Sequence, residues 1–202
     1  MISQLWTVAN QLTLLRLIFI PFVIINVVDG NYLWAIILFV AAGVSDGLDG
    51  TLARTLKQQT LLGEYLDPIA DKLLLSSLFL VLSFMGRIPW KFTIVVFTRD
   101  VCILMVSAVL YIAVGLRNFR PSIFGKLNTF AQVAAVFFIM LFEIHPEPWI
   151  YRTDRSLLWA VFALTCVSAV HYIVLVGYRL KAQSEARAIN STPQQSLAQK
   201  EG

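Results

Sequence analysis

Four aspartates, Asp46, Asp49, Asp67 and Asp71, fall within 26 residues of otherwise apolar sequence. A carboxylate at membrane depth is costly and its usual justification is function. On helices, a spacing of three sets Asp46 and Asp49 on one face, and a spacing of four does the same for Asp67 and Asp71. Two such pairs facing one another would form an all-oxygen cluster for hard divalent cations. With no Cys or His in it, Mg²⁺ or Mn²⁺ is favoured. Two such cations, roughly 3.5 to 4 Å apart, would neutralise the attacking and departing oxygens during displacement at phosphorus.

Small residues and one cation are interleaved with these carboxylates. Gly50, Ala53 and Gly63 either let a flat base or a phosphate approach the backbone or allow close helix packing in a membrane; both readings stay open. Arg54 is suited to clamping a phosphate bidentately, the alternative being a topology anchor. Arg99 is the most distinctive remaining cation because it lies inside an apolar run, where the bland role is an internal pair with Asp100 or with the aspartates. His145 and His171 suggest no chemistry: one falls in a polar loop and the other stands alone in an apolar span.

The elements that must position these groups are membrane helices. Hydrophobic residues make up 58% of the 202 positions and the mean hydropathy is +0.74, too apolar for an ordinary soluble domain. The expected fold is all-α and polytopic, with six transmembrane spans at 10–28, 32–46, 68–85, 92–114, 123–144 and 157–178. The second is short unless it continues helically through the aspartates, and no proline stops it there. Polar punctuation at 29–31, 86–89 and 145–148 marks turns. Cys102 and Cys166 read as buried small hydrophobes with no disulfide, and Trp6, Trp90, Trp149 and Tyr178 as interfacial anchors.

With both termini cytoplasmic, eleven Lys and Arg lie inside against four outside, which favours an N-in, C-in orientation with the aspartates at the cytoplasmic face. The net charge of +4 is spread along the chain and suits anionic membrane lipids rather than nucleic acid. The first apolar run reads as a retained span, not a cleaved leader. One membrane domain is expected over 1–180, followed by a polar, frayed or disordered cytoplasmic tail over 181–202.

Written out, the site is Asp46-x2-Asp49-Gly50-x2-Ala53-Arg54-x8-Gly63-x3-Asp67-x3-Asp71. This resembles, at every fixed position, the signature D-x2-D-G-x2-A-R-x8-G-x3-D-x3-D of the CDP-alcohol phosphatidyltransferases. The resemblance implies that Asp46, Asp49 and Asp67 coordinate metal, that Asp71 is both a metal ligand and the general base, and that Asp49, Gly50, Ala53, Arg54 and Gly63 hold the CDP portion of CDP-diacylglycerol. It also implies a homodimer in a membrane, expected to be a bacterial inner membrane.

Within that family, Leu66-Asp-Pro-Ile-Ala-Asp-Lys72 and Asn10-Gln-Leu-Thr-Leu-Leu-Arg16 look like the versions found in phosphatidylglycerophosphate synthases and related cardiolipin synthases. The first would use glycerol 3-phosphate as acceptor, whose dianion calls for extra cations: Arg99, Lys126, Arg117, Arg120 and Arg16 are the candidates. Many bacterial enzymes of the first kind have Arg-Glu where this chain has Arg99-Asp100, and Phe124-Gly-Lys-Leu-Asn-Thr129 looks equally close to cardiolipin synthases. Phosphatidylglycerol is therefore the alternative acceptor. Outside the class, a cation or proton transporter also uses intramembrane carboxylates, but no inverted repeat is visible. An inactive scaffold is disfavoured by four intact aspartates.

Overall fold

A computed structural model describes the backbone of residues 8–56, 61–114 and 123–198, and the side chains of residues 14–45, 70, 72–105, 125–172, 174 and 177. Among the described residues there are six helices: α1 Val8–Val28, α2 Tyr32–Leu56, α3 Leu61–Phe84, α4 Trp90–Val114, α5 Ile123–Ile144 and α6 Pro148–Ala198. The second helix runs without interruption through Asp46 and Asp49, as its sequence predicts. Pro148 opens α6, a position where a missing N–H costs nothing, so this helix begins two turns earlier than the apolar run alone suggests.

The other end of α6 differs from expectation. Instead of a frayed or disordered tail from Lys181, helix continues to Ala198. Ala, Gln, Glu, Lys and Arg are good helix formers, and extending an existing helix avoids the nucleation cost that an isolated segment would face.

Two predicted turns close in the same way. Gly30 and Gly86 have φ of 76° and 75°, a left-handed conformation that glycine adopts without strain. Around Gly30, the Asn31 amide donates to the Asn26 carbonyl at 2.8 Å and Gly30 N–H to the Val27 carbonyl at 3.1 Å; around Gly86, Arg87 donates to Leu82 at 2.8 Å and Gly86 to Ser83 at 3.0 Å. Both are Schellman caps that satisfy the last carbonyls of α1 and α3.

Packing places α1 against α2 and α3, α5 against α2, α3 and α6, and α4 against α3 and α6. Val23, Val27, Phe39, Leu78, Phe79, Leu82 and Met140 fill the centre, and Ala35, Ala42 and Ala135, all fully buried, let the helices approach closely. The outer surface is equally apolar: Ile18, Phe22, Trp34, Met105, Phe130 and Val170 are more than half exposed. Helices apolar all round belong in a membrane. The segments Gly125–Ile144 and Pro148–Tyr172 are each long and apolar enough to cross one, and Leu14–Val28, Tyr32–Ser45 and Lys72–Phe84 are shorter apolar helical stretches. Trp90 and Trp149 stand exposed at helix starts, as interfacial anchors do. Cys102 and Cys166 are exposed, not buried; an outer face that meets acyl chains accepts a small apolar thiol as readily as the core does.

Candidate active site

The C-terminal part of α2 carries Asp46, Asp49, Gly50, Ala53 and Arg54, and the N-terminal part of α3 carries Gly63, Asp67 and Asp71, all on helical backbone. The helical register therefore puts each aspartate pair on a common face. Only residues 57–60 separate Leu56 from Leu61, so the two helix ends lie within about 18 Å of each other. The donor set is four carboxylates without sulfur or imidazole, which fits Mg²⁺ or Mn²⁺. Among the described side chains no group of three or more His, Cys, Asp or Glu is close enough to hold a metal ion; the side chains of the four aspartates lie outside that set.

One turn deeper than the aspartates is an apolar cavity of about 490 Å³ walled by α1, α2, α3 and α5. Gly43 and Val44 line it just before Asp46, Leu74 and Leu75 just after Asp71, and Thr129 and Phe137 from α5. Arg16 also lines it, 1% exposed. A Cβ added at Gly43 would meet nothing within 4 Å, so the glycine leaves open space there.

On the other side of α3 the acidic motif continues into a buried ion network. Lys72, the residue after Asp71, donates from Nζ to both carboxylate oxygens of Asp100 at 3.1 and 3.0 Å. Arg99 donates from Nη1 to Asp100 Oδ1 at 2.7 Å and from Nη2 to Ser168 Oγ at 2.6 Å. The Arg99 and Asp100 side chains are 7% and 3% exposed. Among the described residues two cations thus share one carboxylate, in a cluster that ties α3, α4 and α6 together. Arg99 Nε is buried and has no hydrogen-bond partner among the described residues.

Not every predicted cation joins this cluster. Lys126 is exposed on the first turn of α5 and Arg16 is buried at the cavity wall, whereas Arg117 and Arg120 lie outside the described residues. The internal pair of Arg99 with Asp100 is the one the sequence offered as the bland role of Arg99; sequence reasoning missed Lys72, whose pairing with Asp100 spans 28 positions. It also missed Asn128, Gln132, Thr165 and Ser168, four polar residues at most 1% exposed. Their signal was polarity inside apolar spans. A separate pair, Arg87 to Glu143 at 2.9 Å, joins the turn after α3 to the last turn of α5, at the far end of α3 from the aspartates.

Comparison with known proteins supplies the remaining context. The model of the family CDP-alcohol phosphatidyltransferase matches residues 6–184. A probable phosphatidylglycerophosphate synthase of Mycobacterium tuberculosis (strain ATCC 25618 / H37Rv) is 33% identical over 180 residues, covering 85% of this chain and 82% of that protein. A putative cardiolipin synthase of the same strain is 30% identical over 165 residues, covering 81% and 73%. The CMP-forming cardiolipin synthase of Homo sapiens is 30% identical over 149 residues, covering 65% of this chain and 49% of that protein.

Proposed function

This chain belongs to the CDP-alcohol phosphatidyltransferase family, and from that premise we infer that it transfers the phosphatidyl group of CDP-diacylglycerol to glycerol 3-phosphate, releasing CMP. The observation that carries the reading is the unbroken helical register of the Asp46/Asp49 and Asp67/Asp71 pairs on α2 and α3. Asp46, Asp49, Asp67 and Asp71 would hold the divalent cations. When bound, these neutralise charge on the diphosphate and lower the barrier to displacement.

The chain's own residues divide the remaining work. Asp71 takes the proton of the acceptor hydroxyl, whose oxygen bonds to the β-phosphorus as the bond to CMP breaks. Arg54 grips a phosphate of the donor, and Gly50, Ala53 and Gly63 give the cytidine diphosphate close access to backbone. The apolar cavity one turn deeper suits the donor's acyl chains, so the reacting diphosphate stays level with the aspartates. Arg99 and Lys72, with one carboxylate between them, favour an anionic acceptor, and the exposed Lys126 on α5 adds positive charge. Arg117 and Arg120 are further acceptor-side cations in this reading, whereas Arg16, expected on that side from sequence, is buried in the wall of the apolar cavity. The charge distribution supports both termini and the site on the cytoplasmic side.

Purified protein given CDP-diacylglycerol, Mg²⁺ and either glycerol 3-phosphate or phosphatidylglycerol tests the acceptor. Phosphatidylglycerophosphate is the expected product, and Lys126→Ala should raise KM for glycerol 3-phosphate while sparing that for the donor. Cardiolipin from phosphatidylglycerol, with glycerol 3-phosphate ignored, would replace the acceptor in this account.

A further inference from the structure

Asn128 and Gln132 on α5 are both fully buried, yet most of their hydrogen-bonding capacity is unused among the described residues. Asn128 Oδ1 accepts from Thr165 Oγ1 at 3.0 Å, while Asn128 Nδ2 and both polar atoms of Gln132 have no partner among the described residues. Buried amides are normally satisfied, and leucine at either position would suit an apolar helix interface better. Their spacing of four puts the two amides on one face, about 6 Å apart along the axis.

We propose that these amides form a subsite that reads the non-reacting hydroxyl of a glycerol-type acceptor, so that Gln132 and Asn128 set acceptor specificity. This rests on the function proposed above, and it deepens that reading by naming what recognises the alcohol. An amide offers donors and an acceptor together, which matches a hydroxyl that both gives and receives. It carries no charge, so it contributes little to phosphate binding. Charge lies nearby on the same scaffold: Thr165, the partner of Asn128, and Ser168, the partner of Arg99, are three residues apart and so share a face of α6. Through Arg99, Asp100 and Lys72 the same polar layer reaches the residue next to Asp71. Neutral amides and a cationic cluster linked through one face of α6 match an acceptor that has both hydroxyls and a phosphate, a description that covers glycerol 3-phosphate and the headgroup of phosphatidylglycerol alike.

The test compares acceptors that differ by one hydroxyl. Glycerol 3-phosphate is set against 3-hydroxypropyl phosphate, and phosphatidylglycerol against phosphatidyl-1,3-propanediol, using full-length protein with CDP-diacylglycerol and Mg²⁺. Wild type should prefer the hydroxyl-bearing member of the pair it uses by about 10⁴ to 10⁵ in kcat/KM, as a site built to bond a hydroxyl does. Gln132→Leu and Asn128→Leu should each cut that preference at least tenfold while leaving KM for CDP-diacylglycerol unchanged. An unchanged preference in either folded variant, or an equal loss on both acceptors, overturns the subsite and makes the amides structural. Failure of both glycerol acceptors to stimulate CMP release by wild type would instead refute the proposed function, and the subsite with it.

Discussion

Asp71 and Lys72 are neighbours in sequence with opposed tasks: one is proposed to accept a proton, and the other is tied to α4. Asp71→Asn should lower kcat by about 10² to 10⁴, the usual range for loss of a general base, with KM for CDP-diacylglycerol nearly unchanged. Equal loss of donor affinity and rate would make Asp71 principally a ligand. Lys72 holds the same turn of α3 through Asp100, which also neutralises Arg99. Asp100→Asn would leave two cations sharing no carboxylate in a site where Asp100 is 3% exposed. Breaking a buried pair from one side costs about 3 to 5 kcal/mol, so the melting temperature in detergent should fall clearly. Asp100→Glu, which keeps the charge, should restore most of it; an undisturbed Asp100→Asn protein would mean the network contributes little.

At the scale of helices, α2 was legible because nothing between Tyr32 and Leu56 stops a helix, and α1 and α3 end where Asp29-Gly-Asn31 and Gly86-Arg-Ile-Pro89 predict turns. The end of α6 was not legible, because polar composition alone does not distinguish a solvated helix propagated from a membrane span from a disordered tail. The pairing of Lys72 with Asp100 was hidden for a different reason: it depends on how α3 and α4 are rotated against each other. The cavity beside α2 gives this scale its own prediction. Gly43→Val adds bulk where a Cβ meets nothing within 4 Å, so the fold should survive while the lining narrows. KM for long-chain CDP-diacylglycerol should rise several-fold and that for a dioctanoyl donor much less. A parallel rise for both donors would remove the acyl chains from this cavity.

For the whole molecule, the membrane character and the six helices follow from apolar runs that fill both the core and the outer surface, and the acidic motif names the chemistry before any coordinate does. The polar partners on α6 were the least legible part, because Thr165 meets Asn128 and Ser168 meets Arg99 only when α6 packs against both α5 and α4. What unites the scales is the claim that α2 and α3 exist, at this length and register, to bring four aspartates to one catalytic centre. Release of CMP from CDP-diacylglycerol by purified protein, measured with saturating acceptor and with Mg²⁺ present or chelated, tests that claim most directly when wild type is compared with Asp67→Asn. The account predicts Mg²⁺-dependent release by wild type and its near-abolition in an Asp67→Asn protein that still inserts and melts normally; undiminished, Mg²⁺-dependent release by that variant would contradict it.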